Sequence, residues 1–240
     1  MKVLFIGNSH TFVHYVPARF QQFCANNGVI AEAAMLTHPG VGLHWHACQS
    51  ETYFNLLYGN FDAVVMQHNA HPFPGKESVL EGVEAICSMT PARTKKYLYM
   101  TWSEKKNPEG QAIMTEAYEE AAEKFGATVC PVGRLWWPLM AAHPCEEFYF
   151  PDGEHTSVLG ASLAAVVIGR TILGLPTDNA ERCYEEAQAL VPMQLDPRMP
   201  DMVWENGKAG FKGSRYSIEM GVGEGGMLGF SLIPNKYKEQ

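Results

Sequence analysis

No stretch of the sequence approaches the ~20 consecutive apolar residues that a membrane-spanning helix needs, so a membrane is not an expected partner. Close cysteine pairs are missing too: Cys24, Cys48, Cys87, Cys130, Cys145 and Cys183 are scattered, with no CxxC among them. Zinc ligation and thioredoxin-like chemistry both want such pairs, so neither is supported. Basic residues are outnumbered, 18 Lys and Arg against 26 Asp and Glu, for a formal net charge of -8. Phosphate binding wants a basic face, so nucleic acid is excluded as an expected partner. Charged residues are few at 18%, while hydrophobic residues reach 46%, a mixture that excludes a disordered or fibrous chain. Repeats and low-complexity tracts are absent. The first apolar run, Val3 to Ile6, is too short for a signal-peptide core and leads into Gly7 and polar residues instead of a cleavage site. These features place the expected location in the cytoplasm, with the cysteines as free thiols.

What is present is an alternation of strand and helix signals. Val3-Leu4-Phe5-Ile6 is a continuous apolar run ended by Gly7-Asn8, as suits a strand buried on both faces. Apolar residues at Phe12, Val16, Phe20 and Cys24 then recur every fourth position, with a restart at Pro17 and an end at Asn26-Asn27-Gly28. Further strands are expected over 29–36, 63–66, 96–101 and 127–132. Further helices are expected over 78–89, 109–125, 134–142 and 157–173, the last with Ser157 at its start. Alternation repeated this often indicates an α/β fold, a parallel five-stranded sheet covered by helices on both faces.

After Pro176 the composition shifts toward Gly, Pro and Met and the periodicity fades. Residues 1–176 are therefore read as one domain and 177–240 as an extension, packed on the same domain or on a partner subunit. The extension carries one helix over 181–190 and strand candidates around Trp204, Tyr216 to Met220 and Met227 to Ile233. An assembly of identical chains is left open.

Parallel α/β sheets place their sites at the carboxyl ends of the strands. Those loops here hold Gly7-Asn8-Ser9-His10-Thr11, then Gly40 and Gly42, then Gln67 and Asn69. Asp152-Gly153-Glu154-His155 follows just before the last apolar helix. A serine at a strand-to-helix corner, a late histidine and an acid three residues before it are the parts needed for acyl transfer. Ser9 would attack, His155 would take its proton, and Asp152 would hold the imidazole in the useful tautomer. The amide of the serine, a glycine amide and a side-chain amide would stabilise the oxyanion.

Gly7-Asn8-Ser9 after an N-terminal strand, with Asp152-x-x-His155 late in the chain, resembles the SGNH/GDSL hydrolase superfamily. The resemblance implies a three-layer α/β/α, flavodoxin-like fold and an esterase acting without a cofactor or metal on small-molecule esters, acetyl esters of carbohydrates foremost. Gly40 then matches the second block, since Gly40-x-Gly42-Leu43 is similar to a GG-x-S-L pattern. The third block departs from the expected Gly-x-Asn-Asp: the chain reads Gln67-His68-Asn69-Ala70. Either Gln67 or Asn69 would supply the side-chain amide, with Gln67 preferred because it stands one residue past the apolar strand. Asn8 replaces the aspartate of the first block. The resemblance spans roughly residues 1–175.

Competing readings attach to the same residues. Ser9 alone would suit a helix cap, and Asp152-Gly153 a turn. His10, His38, His44 and His68 fall in the loops of the site and would line its mouth. Trp102 would floor a pocket or pack in the core. A flavodoxin-like protein binding a phosphate or flavin at Gly7 to Thr11, or a degenerate hydrolase binding a sugar, are the rivals from other classes.

Overall fold

A computed structural model of the chain describes residues 1–195 and the backbone of four strands beyond them. Two compact units, Met1–Met193 and Gln194–Gln240, are distinguished. In the first, strands β1 (Lys2–Gly7), β2 (Glu32–Thr37), β3 (Ala63–Met66), β4 (Lys95–Tyr99) and β5 (Thr128–Cys130) form one sheet in the order β2-β1-β3-β4-β5. Every pairing in it is parallel, with Ile6 beside Leu36 on one flank and Met66 on the other. The chain thus places β2 on one side of β1 and β3 on the other, which opens a crevice at the carboxyl end of β1.

The helices are α1 (Ser9–Phe12), α2 (Val16–Asn26), α3 (Leu43–Ala47), α4 (Ser50–Tyr58), α5 (Lys76–Met89), α6 (Gly110–Phe125), α7 (Val132–Ala142), α8 (Val158–Ile172) and α9 (Ala180–Leu190). Strand side chains alternate between two cores, as the two-residue repeat requires. Val3, Phe5, Val65 and Tyr99 meet Phe20, Trp136 and the apolar length of α8 on one face. Leu4, Ile6, Val64 and Met66 meet Leu43, Val83 and Tyr118 on the other. This is the three-layer α/β/α arrangement. Each fully buried Leu or Phe of these cores contributes about 1.5–3 kcal/mol of transfer free energy.

The sequence reading locates all five strands, with shifted ends. Val29 is not yet strand: its N–H donates to Cys24 O at 2.9 Å and closes α2 beside Gly28, whose φ is 75°. The short α3 and the two-turn α4 were not expected. Only Thr52 and Leu56 of α4 are buried, while Tyr53, Phe54, Leu57 and Tyr58 are exposed, so no apolar stripe marked it.

Helix α9 belongs to the first unit although it follows the compositional change at Pro176. Cys183, Tyr184, Ala187 and Leu190 bury one side of it, and Arg170 Nη1 of α8 donates to both Glu186 carboxylate oxygens at 2.8 Å. The second unit contains β6 (Met202–Glu205) paired antiparallel with β7 (Lys208–Phe211), and β8 (Tyr216–Val222) paired antiparallel with β9 (Leu228–Pro234). Met227, read above as part of the last strand, lies outside the described residues. All six cysteines are free. Among the described residues no helix is long and apolar enough to cross a membrane.

Candidate active site

The turn after β1 is built around Gln67. A Cβ on Gly7 would stand 2.5 Å from Gln67 Oε1 and from Thr11 Oγ1, so only glycine lets the strand end approach this closely. Asn8 N–H donates to Gln67 Oε1 at 2.8 Å, and the Thr11 hydroxyl donates to the same atom at 3.0 Å. Gln67 Nε2 donates to the His68 carbonyl. Asn8 also caps α1: its Oδ1 accepts from His10 N at 3.1 Å, while its Nδ2 donates to Val41 O at 3.0 Å. The cap of α1 is therefore Asn8, and the Ser9 hydroxyl is left for another partner.

That partner comes from the far end of the unit. His155 Nε2 lies 2.7 Å from Ser9 Oγ, and His155 Nδ1 lies 2.7 Å from Asp152 Oδ2. A carboxylate can only accept, so Nδ1 carries the proton and Nε2 accepts from the Ser9 hydroxyl. Asp152 Oδ1 accepts from the N–H groups of Glu154 and His155, each at 2.9 Å, in a tight turn that Gly153 completes at φ 73°. Burial alone would raise the Asp152 pKa. The hydrogen bonds from the His155 ring and these two amides overcome it and hold the carboxyl down at about 2.

The loop bearing His155 is fixed from several sides. Phe150 N–H donates to His155 O at 2.8 Å, and Tyr149 bridges Thr156. Trp102 is fully buried, stacks on Trp136 at 3.7 Å, and donates from Nε1 to Glu154 O at 2.9 Å. It does not floor a pocket; it supports this loop from within the core. Ser157 caps α8, accepting from Gly160 N at 3.2 Å.

The other site residues read from sequence divide. Asn69 is half-buried and makes no hydrogen bond among the described residues, and a Cβ on Gly42 would come within 2.6 Å of its Oδ1. Gly40 is exposed at φ 69°. His68 does not line a mouth: it is fully buried, its Nδ1 accepts from Leu43 N at 3.1 Å, and burial drives its pKa to about 3. His10 is likewise inside. His14 and His71, which the sequence did not single out for the site, stand near enough to His155 to feel its charge. No spacing rule links His14 and His71 to Ser9; only the fold brings them there.

No protein-family model matches the chain, and no curated protein matches it. Solved structures do. A DUF4886 family protein from Bacteroides uniformis is similar with a TM-score of 0.63 at 17% identity, over 80% of this chain and 93% of that one. A member of the lipolytic protein G-D-S-L family from Veillonella parvula matches with a TM-score of 0.53 at 12% identity, over 74% of this chain and 99% of that one. The psychrotrophic esterase EstA from Pseudoalteromonas sp., in a structure inhibited by monoethylphosphonate, matches with a TM-score of 0.54 at 12% identity, over 72% and 97%. The three-layer α/β/α fold is shared with these structures. At these identities the likeness concerns the fold, and the chemistry has to be argued from the residues.

Proposed function

We propose that the protein is a serine hydrolase of small acyl esters, with Ser9 as nucleophile, His155 as general base and Asp152 as the group that orients it. One observation carries this reading: Ser9 Oγ, the His155 ring and the Asp152 carboxylate form an unbroken hydrogen-bonded chain, 2.7 Å at each link. In the reaction, Ser9 Oγ attacks the ester carbonyl as its proton passes to His155 Nε2. Asp152 stabilises the imidazolium, which then protonates the leaving alcohol. Water, activated by the same nitrogen, clears the acyl-serine.

The oxyanion needs donors. Gln67 has its amide committed to Asn8, Thr11 and the His68 carbonyl. Asn69 beside Gly42 is therefore the side-chain donor of this reading, together with the Ser9 N–H and the Gly40–Gly42 loop. Each such donor lowers the barrier by about 3 kcal/mol. The substrate class, acetyl esters of carbohydrates foremost, rests on the family resemblance of the sequence, and no cofactor is required by the chemistry.

The deciding experiment compares wild type and Ser9→Ala on p-nitrophenyl acetate and p-nitrophenyl octanoate, with fluorophosphonate labelling of both proteins. Turnover and labelling that vanish together with Ser9 support the reading, and the acetate-to-octanoate ratio measures the depth of the acyl pocket. Full turnover by Ser9→Ala would refute it.

A further inference from the structure

The residue after Ser9 is a histidine whose ring is sealed from solvent. His10 is 3% exposed and is enclosed by other rings: His71 at 4.9 Å, His155 at 5.1 Å and Trp102 at 5.3 Å between centroids. The planes of His10 and His155 differ by 27°, close to a face-to-face stack, whereas His71 and Trp102 are tilted by 44° and 51°. The backbone of His10 is held at both ends, its N–H by Asn8 Oδ1 at 3.1 Å and its carbonyl by the Tyr99 hydroxyl at 3.2 Å. The turn that places Ser9 thus also places a flat ring against the base that Ser9 must meet.

The bonds at the two ring nitrogens of His155 set the direction of the imidazole but do not by themselves fix its plane about the line joining Ser9 and Asp152. A flat surface against one face removes that freedom, and reacting groups need it removed, since misplacement by about 1 Å costs on the order of 100-fold in rate. We infer that His10 is a positioning residue, its ring stacked on His155 to hold the imidazole in line with Ser9 and Asp152. This rests on the hydrolase reading above. Burial first, then His71 and His155, keep the His10 pKa well below 6.5 against the pull of the Glu154 backbone. The ring therefore offers an uncharged face, and its π surface is compatible with the positive charge that His155 acquires during turnover. The role belongs to the ring's shape and not to its nitrogens.

The test uses the full chain, p-nitrophenyl acetate, and the variants His10→Phe, His10→Leu and His10→Ala, with Ser9→Ala alongside. Loss of the flat face in the Leu and Ala variants should lower kcat about 10- to 100-fold with KM changed less than about 2-fold, while His10→Phe recovers kcat to within about 3-fold of wild type. The NMR resonance of the His155 Cε1–H group should hold its position in His10→Phe and shift and broaden in His10→Leu. Wild-type kcat in His10→Leu, or a His10→Phe enzyme as slow as His10→Leu, would overturn the inference. If instead Ser9→Ala retains full turnover, the hydrolase reading has failed. The stacking role is then decided by the resonance alone, and an unmoved signal in His10→Leu overturns it.

Discussion

Asn8 and Gln67 are joined by a hydrogen bond of 2.8 Å, from the backbone N–H of one to the side-chain carbonyl of the other. The bond ties the turn that carries Ser9 to the first residue past β3, deep at the edge of the sheet. With Thr11 on the same oxygen and His68 O on the amide nitrogen, Gln67 works as a strut between two loops. The strut is fully buried, so its bonds have no water to replace them.

Gln67→Leu should therefore lower the unfolding free energy by about 2–4 kcal/mol, because two donors and one acceptor would be left unpaired in the interior. Urea denaturation midpoints of the two proteins check this. A change below about 0.5 kcal/mol would mean that the loops do not depend on the strut.

Asn69→Ala should behave differently, lowering kcat about 100- to 1,000-fold while leaving the unfolding transition nearly in place. Gly42→Ala should act in the same direction, because its Cβ would press within 2.6 Å of Asn69 Oδ1 and 2.8 Å of His68 Cε1. Steady-state kinetics on p-nitrophenyl acetate, paired with thermal melts, separates the two effects. An Asn69→Ala enzyme with undiminished kcat would return the donor role to Gln67.

Acid should destabilise the fold well before its carboxylates titrate. Burial first holds His14 and His71 at a pKa of about 4 and His68 at about 3, against an ordinary 6.5. The unfolded chain takes up these protons as pH falls below 6.5 and the folded chain does not, so stability declines from 6.5 downward. The decline ceases to grow near pH 4 for His14 and His71 and near 3 for His68. Asp152 adds a loss of the same sign at lower pH: its contribution is complete above 3.8 and fades toward pH 2. Urea midpoints measured from pH 8 to 4 should slope less steeply in His71→Phe than in wild type; parallel curves would exclude His71 as one of the groups.

Much of this arrangement was legible in the sequence, for physical reasons that can be named. Residues 63–66 and 3–6 lie in the sheet's interior and have no polar face, so their strands stand out as unbroken apolar runs. The meeting of Ser9, Asp152 and His155 in one hydrogen-bonded chain could be anticipated because α/β sheets present their loops at one end. The choice between Gln67 and Asn69 was not. Both follow the same strand, and on the proposed reading what separates them is which amide is already hydrogen-bonded, a property of Asn8 and Thr11 as much as of Gln67. The parts of His10 and Trp102 were hidden for a similar reason. Each touches His155 or its loop across the fold, and neither contact leaves a repeat or a spacing to read. Helix α4 escaped because its large apolar residues face outward, Tyr58 at 71% exposure among them.

Helix α8 is buried around its whole circumference from Leu159 to Arg170 and begins just after His155. Such a helix cannot rest on a half-built protein, since every side of it needs a neighbour: the sheet, α2 and α9. The histidine thus meets Ser9, 146 residues away along the chain, just ahead of a helix whose every side is covered by other parts of the unit. A nascent or clipped chain that stops short of α8 contains both Ser9 and His155 but lacks the helix on which the histidine's loop ends. On the proposed reading, the reactive centre comes into being only when the layers have closed, and regained turnover after refolding marks the completion of the whole unit and not of its sheet alone.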